Sequence, residues 1–299
     1  MPRSLPVRFT PVSAALVLWV AQPFTTGTLL GAALDPTGTG FRTTVSVAAW
    51  IGWGVVLVAI AVPRPVTLTV SRIGVVGGLA AAAWAAVALA NGEGSHTTTT
   101  VVGLVAAGLG VFSLHLPGIG DRFVDGVSYG DERRYLLRAP GPVLLVMLVP
   151  ATAMVIAGFA AGPLLLADRR WVLGAIVTAI GWVVAWFPLN ALHRLTDRFV
   201  VFVPNGIVVH DRTVLREPVL FVTREIAGLA PAPADTTATD VTGQALGLAL
   251  ELRLGSPVDL PFVTGRTATE ERTVRALLIA PGRPGAVMRT AVARGIPVV

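Results

Sequence analysis

Cysteine and lysine are both missing from this chain, tyrosine occurs twice and histidine four times. The lack of cysteine excludes disulfides, thiolate metal sites and cysteine nucleophiles. All 23 basic residues are therefore arginine, which, with the abundant alanine, valine and glycine, suggests a GC-rich genome, with an actinobacterial source the expectation. Charge is scarce: 13% of residues are charged and 54% hydrophobic, against about 25% and 45–50% in soluble domains. The formal net charge of +6 is small enough to be read as topology signal, and no nucleic-acid partner is expected.

Catalytic signatures are scarce too. His96, His115, His193 and His210 are scattered and form no HExxH or comparable ligand spacing, so neither a metal nor another cofactor is expected. There is no GxSxG and no P-loop. The glycine pairs at 108–110 and 118–120 lack the strand-loop-helix context of a nucleotide site. Glu270 and Glu271 fall in a charged turn, where solvation accounts for them. These absences argue against an enzyme. The one constellation left for a membrane enzyme combines His115, Asp121, Asp125 and His193.

What is present is long uncharged apolar sequence. Runs of about 20 such residues match a hydrocarbon core of roughly 30 Å. Six spans are predicted, at about 12–34, 44–62, 73–90, 98–114, 141–167 and 171–192, with Pro23 inside the first and Pro150 and Pro163 inside the fifth. The first stretch is too long for a cleavable signal peptide and no A-x-A site closes it. With these bounds no Asp, Glu or Arg lies mid-span, which argues against ion- or proton-coupled transport. Gln22, Thr152, Thr178 and Asn190 are the polar residues within spans, and helix–helix hydrogen bonding suits them. Gly158 and Gly162 form a GxxxG pattern, a candidate close helix–helix contact.

Arginine placement predicts orientation. Arg3, Arg8, Arg64, Arg72, Arg122, Arg133, Arg134, Arg138, Arg194 and Arg198 fall on one side; Arg42, Arg169 and Arg170 fall on the other. The rich side carries both termini, so a multi-pass cell-membrane protein with both ends in the cytoplasm is expected. In the long loop at 117–140, residues 131–134 read as an interfacial or short amphipathic segment. The loop's Arg133, Arg134 and Arg138, with Arg194 and Arg198 after the last span, are candidate contacts to lipid headgroups or to the carboxyl-terminal domain.

From residue 197 onward the period shortens. Strands are predicted at about 198–203, 207–210, 219–222, 226–229, 246–254, 258–263 and 274–279, and a helix at 285–294. Asn205-Gly206 is expected to form a type I′ turn, Gly255-Ser256-Pro257 to turn a second hairpin, and 231–242 to be a polar loop. The chain thus divides into a helical transmembrane region, 1–196, and a mainly β domain with a terminal helix, 197–299. The stretch "GIVVHDRTVLREPVLFVTREIAGL", 206–229, with its glycine-led apolar hairpin and its Arg224-Glu225-Ile226 step, resembles the start of bacterial PH-like domains attached to short membrane-helix clusters. The resemblance covers only the last hundred or so residues, and the long Ala/Pro/Thr loop departs from it. It implies binding or scaffolding without a shared enzyme activity. The leading expectation is a non-enzymatic membrane protein whose cytosolic domain docks a protein partner or the lipid of the inner face. The alternative is a transporter or lipid-handling permease with a regulatory tail.

Overall fold

The computed structural model describes residues 11–92, 96–265 and 268–299. Arg3 and Arg8, which contribute to the predicted orientation, lie outside them. By internal contacts the chain divides into two compact units: Met1–Val62, Val70–Ile119 and Ile156–Val183 in one, Pro63–Thr69, Gly120–Val155 and Val184–Val299 in the other.

Helices dominate the first two-thirds: α1 (Pro11–Val20), α2 (Thr26–Leu34), α3 (Thr39–Ala61), α4 (Pro65–Ala90), α5 (Thr97–His115), the short α6 (Pro117–Asp125), α7 (Leu148–Ala167) and α8 (Trp171–Thr196). Among the described residues, five stretches are long and apolar enough to cross a membrane: α3, α4, α5, α7 with the turn before it (Val143–Ala167), and α8. That is the make-up of a multi-pass membrane protein. Their large apolar side chains, such as Val58, Leu145, Val172 and Phe187, are exposed in the isolated chain, as lipid-facing residues would be.

The first predicted span is not one helix. It breaks into α1, a 3₁₀ turn at Gln22–Phe24, and α2. Pro23 supplies the reason: it has no N–H to donate and its ring crowds the preceding turn. Pro150 acts similarly in the fifth span. It cannot bond the carbonyl four residues back, and the turn just before it, Val143–Met147, widens into a π-helix. The third predicted span also begins earlier than expected, at Pro65. This places Arg72 inside α4, where its Nε–H donates to the Leu114 carbonyl at 3.2 Å.

Among the described residues the sheet module has eight strands in two antiparallel-dominated sheets. The first runs in the order β1 (Arg133–Leu136), β2 (Phe199–Val203), β3 (Gly206–His210), β4 (Val219–Val222). The second runs β5 (Ile226–Pro231), β7 (Leu250–Val263), β8 (Thr269–Ile279), β6 (Thr239–Asp240). Alternate residues of both sheets, including Val200, Phe202, Ile207, Phe221, Leu252 and Leu277, fill one core with Val287 and Ala291 of the closing helix α9 (Pro284–Ala293). Gly295 follows that helix at φ +69°, the left-handed stop that glycine supplies without a Cβ penalty.

Three turn expectations change. The β2–β3 hairpin forms, but Pro204 and Asn205 make its turn, and Gly206 opens β3 opposite Val203. A proline there fixes a negative φ, so the I′ geometry is excluded. Gly206 is needed instead for packing: a Cβ would overlap the Phe221 carbonyl of β4. Gly255-Ser256-Pro257 does not turn the chain. It forms an irregularity within β7, whose register with β8 shifts between Arg253 and Val258. Finally, part of the 231–242 loop becomes β6, which pairs in parallel with β8 at Leu277 and Leu278.

Candidate functional site

The place where chemistry-bearing side chains gather is the root of the sheet module. β1 belongs to the loop between α5 and α7, yet it pairs with β2 over Arg133↔Phe202 to Leu136↔Phe199. The expected domain of 197–299 therefore receives a strand from upstream of its boundary, and the predicted interfacial segment at 131–134 is partly that strand. Two adjacent strands thus connect to membrane helices. β1 leads through 137–142 toward α7, and β2 follows α8 after only Asp197 and Arg198.

The outer edge of β1 is covered by α6. Asp121 Oδ1 accepts the Leu136 N–H, and Asp125 Oδ1 accepts the Arg134 N–H, both at 3.0 Å. The match is geometric. Four residues advance a helix by about 6 Å, and two residues advance a strand by about 6.6 Å. Carboxylates spaced i, i+4 therefore reach edge N–H groups spaced i, i+2, and an otherwise open edge is closed. Asp121 is buried; its Oδ2 accepts no hydrogen bond among the described residues and lies 3.7 Å from Arg283 Nη1. Burial pushes its carboxyl pKa up to about 6 with help from nearby Asp125, opposed by the Leu136 N–H and by Arg283.

Arg198 turns inward, into the carboxyl-terminal sheet module. It is 1% exposed. Its Nε and Nη2 donate to Asp211 Oδ2 at 2.8 and 2.6 Å, its Nη1 to the Arg138 carbonyl at 2.9 Å, and Nη2 also to the Thr242 carbonyl at 3.4 Å. Asp211 uses its other oxygen for the Thr213 N–H and hydroxyl. A planar guanidinium with five donors can join three chain segments at once, and burial is tolerable because the charge is paired and bonded.

The other arginines divide. Arg138 is a contact to the carboxyl-terminal region: its Nε donates to the Pro281 carbonyl at 3.1 Å, and its terminal nitrogens donate to the carbonyls of Leu246 and Leu248. Arg134 pairs with Glu132 and lies over the Phe199 ring, 5.3 Å from its centroid. Phe199 in turn stacks on His210, whose Nε2 faces Asp197 at 3.5 Å. Arg133 is exposed and pairs with Asp125 at 2.7 Å. Arg194 is exposed in the last turn of α8.

In the helical unit, the break in the first segment is sealed by α5. Gln22 is buried; its Nε2 donates to the Ala106 carbonyl at 2.9 Å, and its Oε1 accepts the Thr26 hydroxyl at 2.5 Å. Small residues on α5 allow this approach: Gly103, Ala107 and Gly110 are buried there, and a Cβ on Gly103 would overlap Leu29. The glycines of the GxxxG pattern lie on α7, facing α8. A Cβ on Gly162 would overlap Thr178 of α8, and Gly181 of α8 lies against the Gly158 backbone.

The residues of the candidate enzyme constellation each have local partners. Asp121 and Asp125 serve the β1 edge, His193 Nδ1 lies 3.2 Å from the Thr69 hydroxyl, and His115 Nδ1 lies 2.8 Å from the Val111 carbonyl. Among the described residues no group of three or more His, Asp or Glu side chains is placed to hold a metal ion. No family model, curated protein or solved structure matches the chain.

Sequence reasoning missed β1, Asp211 as the partner of Arg198, and the role of Asp121 and Asp125. The last had a signal: two aspartates four apart, just before an arginine-rich stretch containing Tyr135, Leu136 and Leu137.

Proposed function

We propose that this is a non-enzymatic membrane protein whose sheet module, PH-like in plan, lies in the cytoplasm and docks a protein partner or the inner membrane face. Its role would be that of a scaffold or accessory in envelope processes. In this reading α1, the break and α2 together make a sixth crossing, which returns both termini to one side. The observation that carries it is how the buried charges of the module are used. Arg198, Asp211 and Asp121 hold strands and loops together, which suits a rigid binding platform tied to two membrane helices and leaves these groups committed to structure.

The discontinuous first segment favours the second reading, a permease with a regulatory tail, because broken helices commonly surround transported substrates. Crosslinking in native membranes followed by affinity purification separates the two. A stoichiometric protein complex supports the scaffold, whereas bound lipid without protein favours the permease. The absence of cysteine allows a clean topology test with Val299→Cys. A membrane-impermeant maleimide is expected to label it only after lysis; labelling of intact cells would overturn the cytoplasmic assignment.

A further inference from the structure

Residues 243–249, between β6 and β7, form a loop whose backbone is built with care and whose side chains are left open. Gly243, Gln244 and Gly247 all have positive φ, at +64°, +58° and +94°, a region that costs a non-glycine residue energy unless its surroundings hold it there. Those surroundings are visible. Asp240 accepts the N–H groups of Thr242 and Gln244 at 2.7 and 3.1 Å, and the Thr242 hydroxyl accepts that of Ala245 at 3.2 Å. Arg138 donates to the carbonyls of Leu246 and Leu248, and it lies so close to Gly247 that a Cβ there would overlap the guanidinium.

The loop is thereby pinned to the segment that opens the fifth membrane stretch. The Gly141 N–H donates to the Gly243 carbonyl at 3.3 Å, a Cβ on Gly141 would overlap the Gln244 carbonyl, and a Cβ on Gly243 would press on Pro140. Helical bonding starts at once from Pro140, whose carbonyl accepts the Leu144 N–H at 2.9 Å. Leu144, Leu145, Val146 and Met147 then present exposed apolar side chains. Beside these lie Leu246 and Leu248, 52% and 50% exposed, in a stretch from 241 to 250 without a charged residue. Structure that fixes a loop while leaving two leucines uncovered calls for an apolar partner.

We propose that the 243–249 loop is a membrane-insertion element, with Leu246 and Leu248 entering the headgroup–acyl boundary next to the start of the fifth span. The occupant is lipid because the leucines are continuous with the exposed apolar surface of Leu144–Met147, the beginning of a stretch that has a mean hydropathy of 2.4. Interfacial elements of this kind bury apolar side chains about 5–10 Å deep. Arg138 acts here as a clamp on carbonyls and positions the loop. The inference rests on the multi-pass reading and narrows the proposed function, assigning this surface to lipid and leaving any protein partner to other faces.

The chain has no cysteine, so single-cysteine variants of the full-length protein carry one label each. Leu246→Cys and Leu248→Cys, labelled with a polarity-sensitive fluorophore, are reconstituted in phosphatidylglycerol–phosphatidylethanolamine vesicles containing brominated acyl chains. Leu145→Cys reports the span, and Leu220→Cys, an equally exposed leucine on β4, reports the module surface. The expected result is blue-shifted emission and lipid quenching at 145, 246 and 248, with iodide quenching in its place at 220. Quenching at 145 without quenching at 246 and 248 overturns the loop assignment alone. Loss of quenching at 145 as well overturns the membrane reading beneath it. Protection of 246 and 248 from both quenchers identifies a protein cover and likewise overturns the proposal. Arg138→Gln is expected to release the loop, shifting the 248 emission toward red while leaving that at 145 unchanged.

Discussion

Trp19 and Trp53 each donate an indole N–H to the other's backbone carbonyl, both at 2.9 Å. The exchange ties α1 to α3 with two hydrogen bonds through one pair of residues, and Trp50 packs edge-on against Trp53 with ring centroids 5.5 Å apart. A buried indole in an apolar unit has few other acceptors. Trp19→Phe and Trp53→Phe each keep the ring and lose one bond. Each is expected to destabilise the protein in bicelles by about 0.6–1.7 kcal/mol, the usual range for interhelical bonds in membranes. Denaturant titration of the single and double variants checks this; unchanged stability in both single variants would show that the bonds contribute nothing.

Asp121 predicts a pH dependence. Its folded pKa, about 6, lies above the ordinary 3.8, so between those values the native state binds more of the proton than the unfolded state does. Stability from this group is therefore present at low pH and lost as pH rises through 6. Two pKa units correspond to about 3 kcal/mol. Asp121→Asn keeps an acceptor for the Leu136 N–H and does not titrate. The melting temperature of the variant should gain on wild type as pH goes from 4 to 7; parallel curves would sink the assignment.

Removal of one partner from the Arg198–Asp211 pair leaves a buried charge alone. Asp211→Asn or Arg198→Met is expected to cost about 3–5 kcal/mol. The double change Arg198→Met with Asp211→Leu is expected to recover much of that loss, since well-packed apolar residues often replace a buried pair. Proteolytic protection of the module in the full-length protein supplies the measurement.

The isolated 197–299 fragment is expected to expose the edge of β2 that β1 occupies, and to self-associate. A peptide spanning 117–140, carrying α6 and β1, is expected to restore a monomer on size exclusion. A fragment that is monomeric without the peptide would show that β1 is dispensable.

Local pattern made much of this architecture legible. The apolar runs, the β2–β3 hairpin, the positions of most later strands and the Pro284–Gly295 helix frame all follow from short-range periodicity and from proline and glycine chemistry. Where single residues set the backbone, inference was less secure: Pro204 displaced the hairpin turn by one residue, and Pro23 divided a stretch that hydropathy reads as continuous.

Apolar helices of membrane length and a sheet module after them can be read from the chain alone, because hydrophobic burial depends on composition and period within one segment. Only tertiary structure decided that Arg133–Leu136 joins a sheet begun more than sixty residues later, that Arg198 turns inward to Asp211, and that α5 seals the break at Gln22. Those outcomes depend on which distant groups remain unsatisfied when segments meet, and a buried N–H, carboxylate or guanidinium must find its partner wherever the fold brings one.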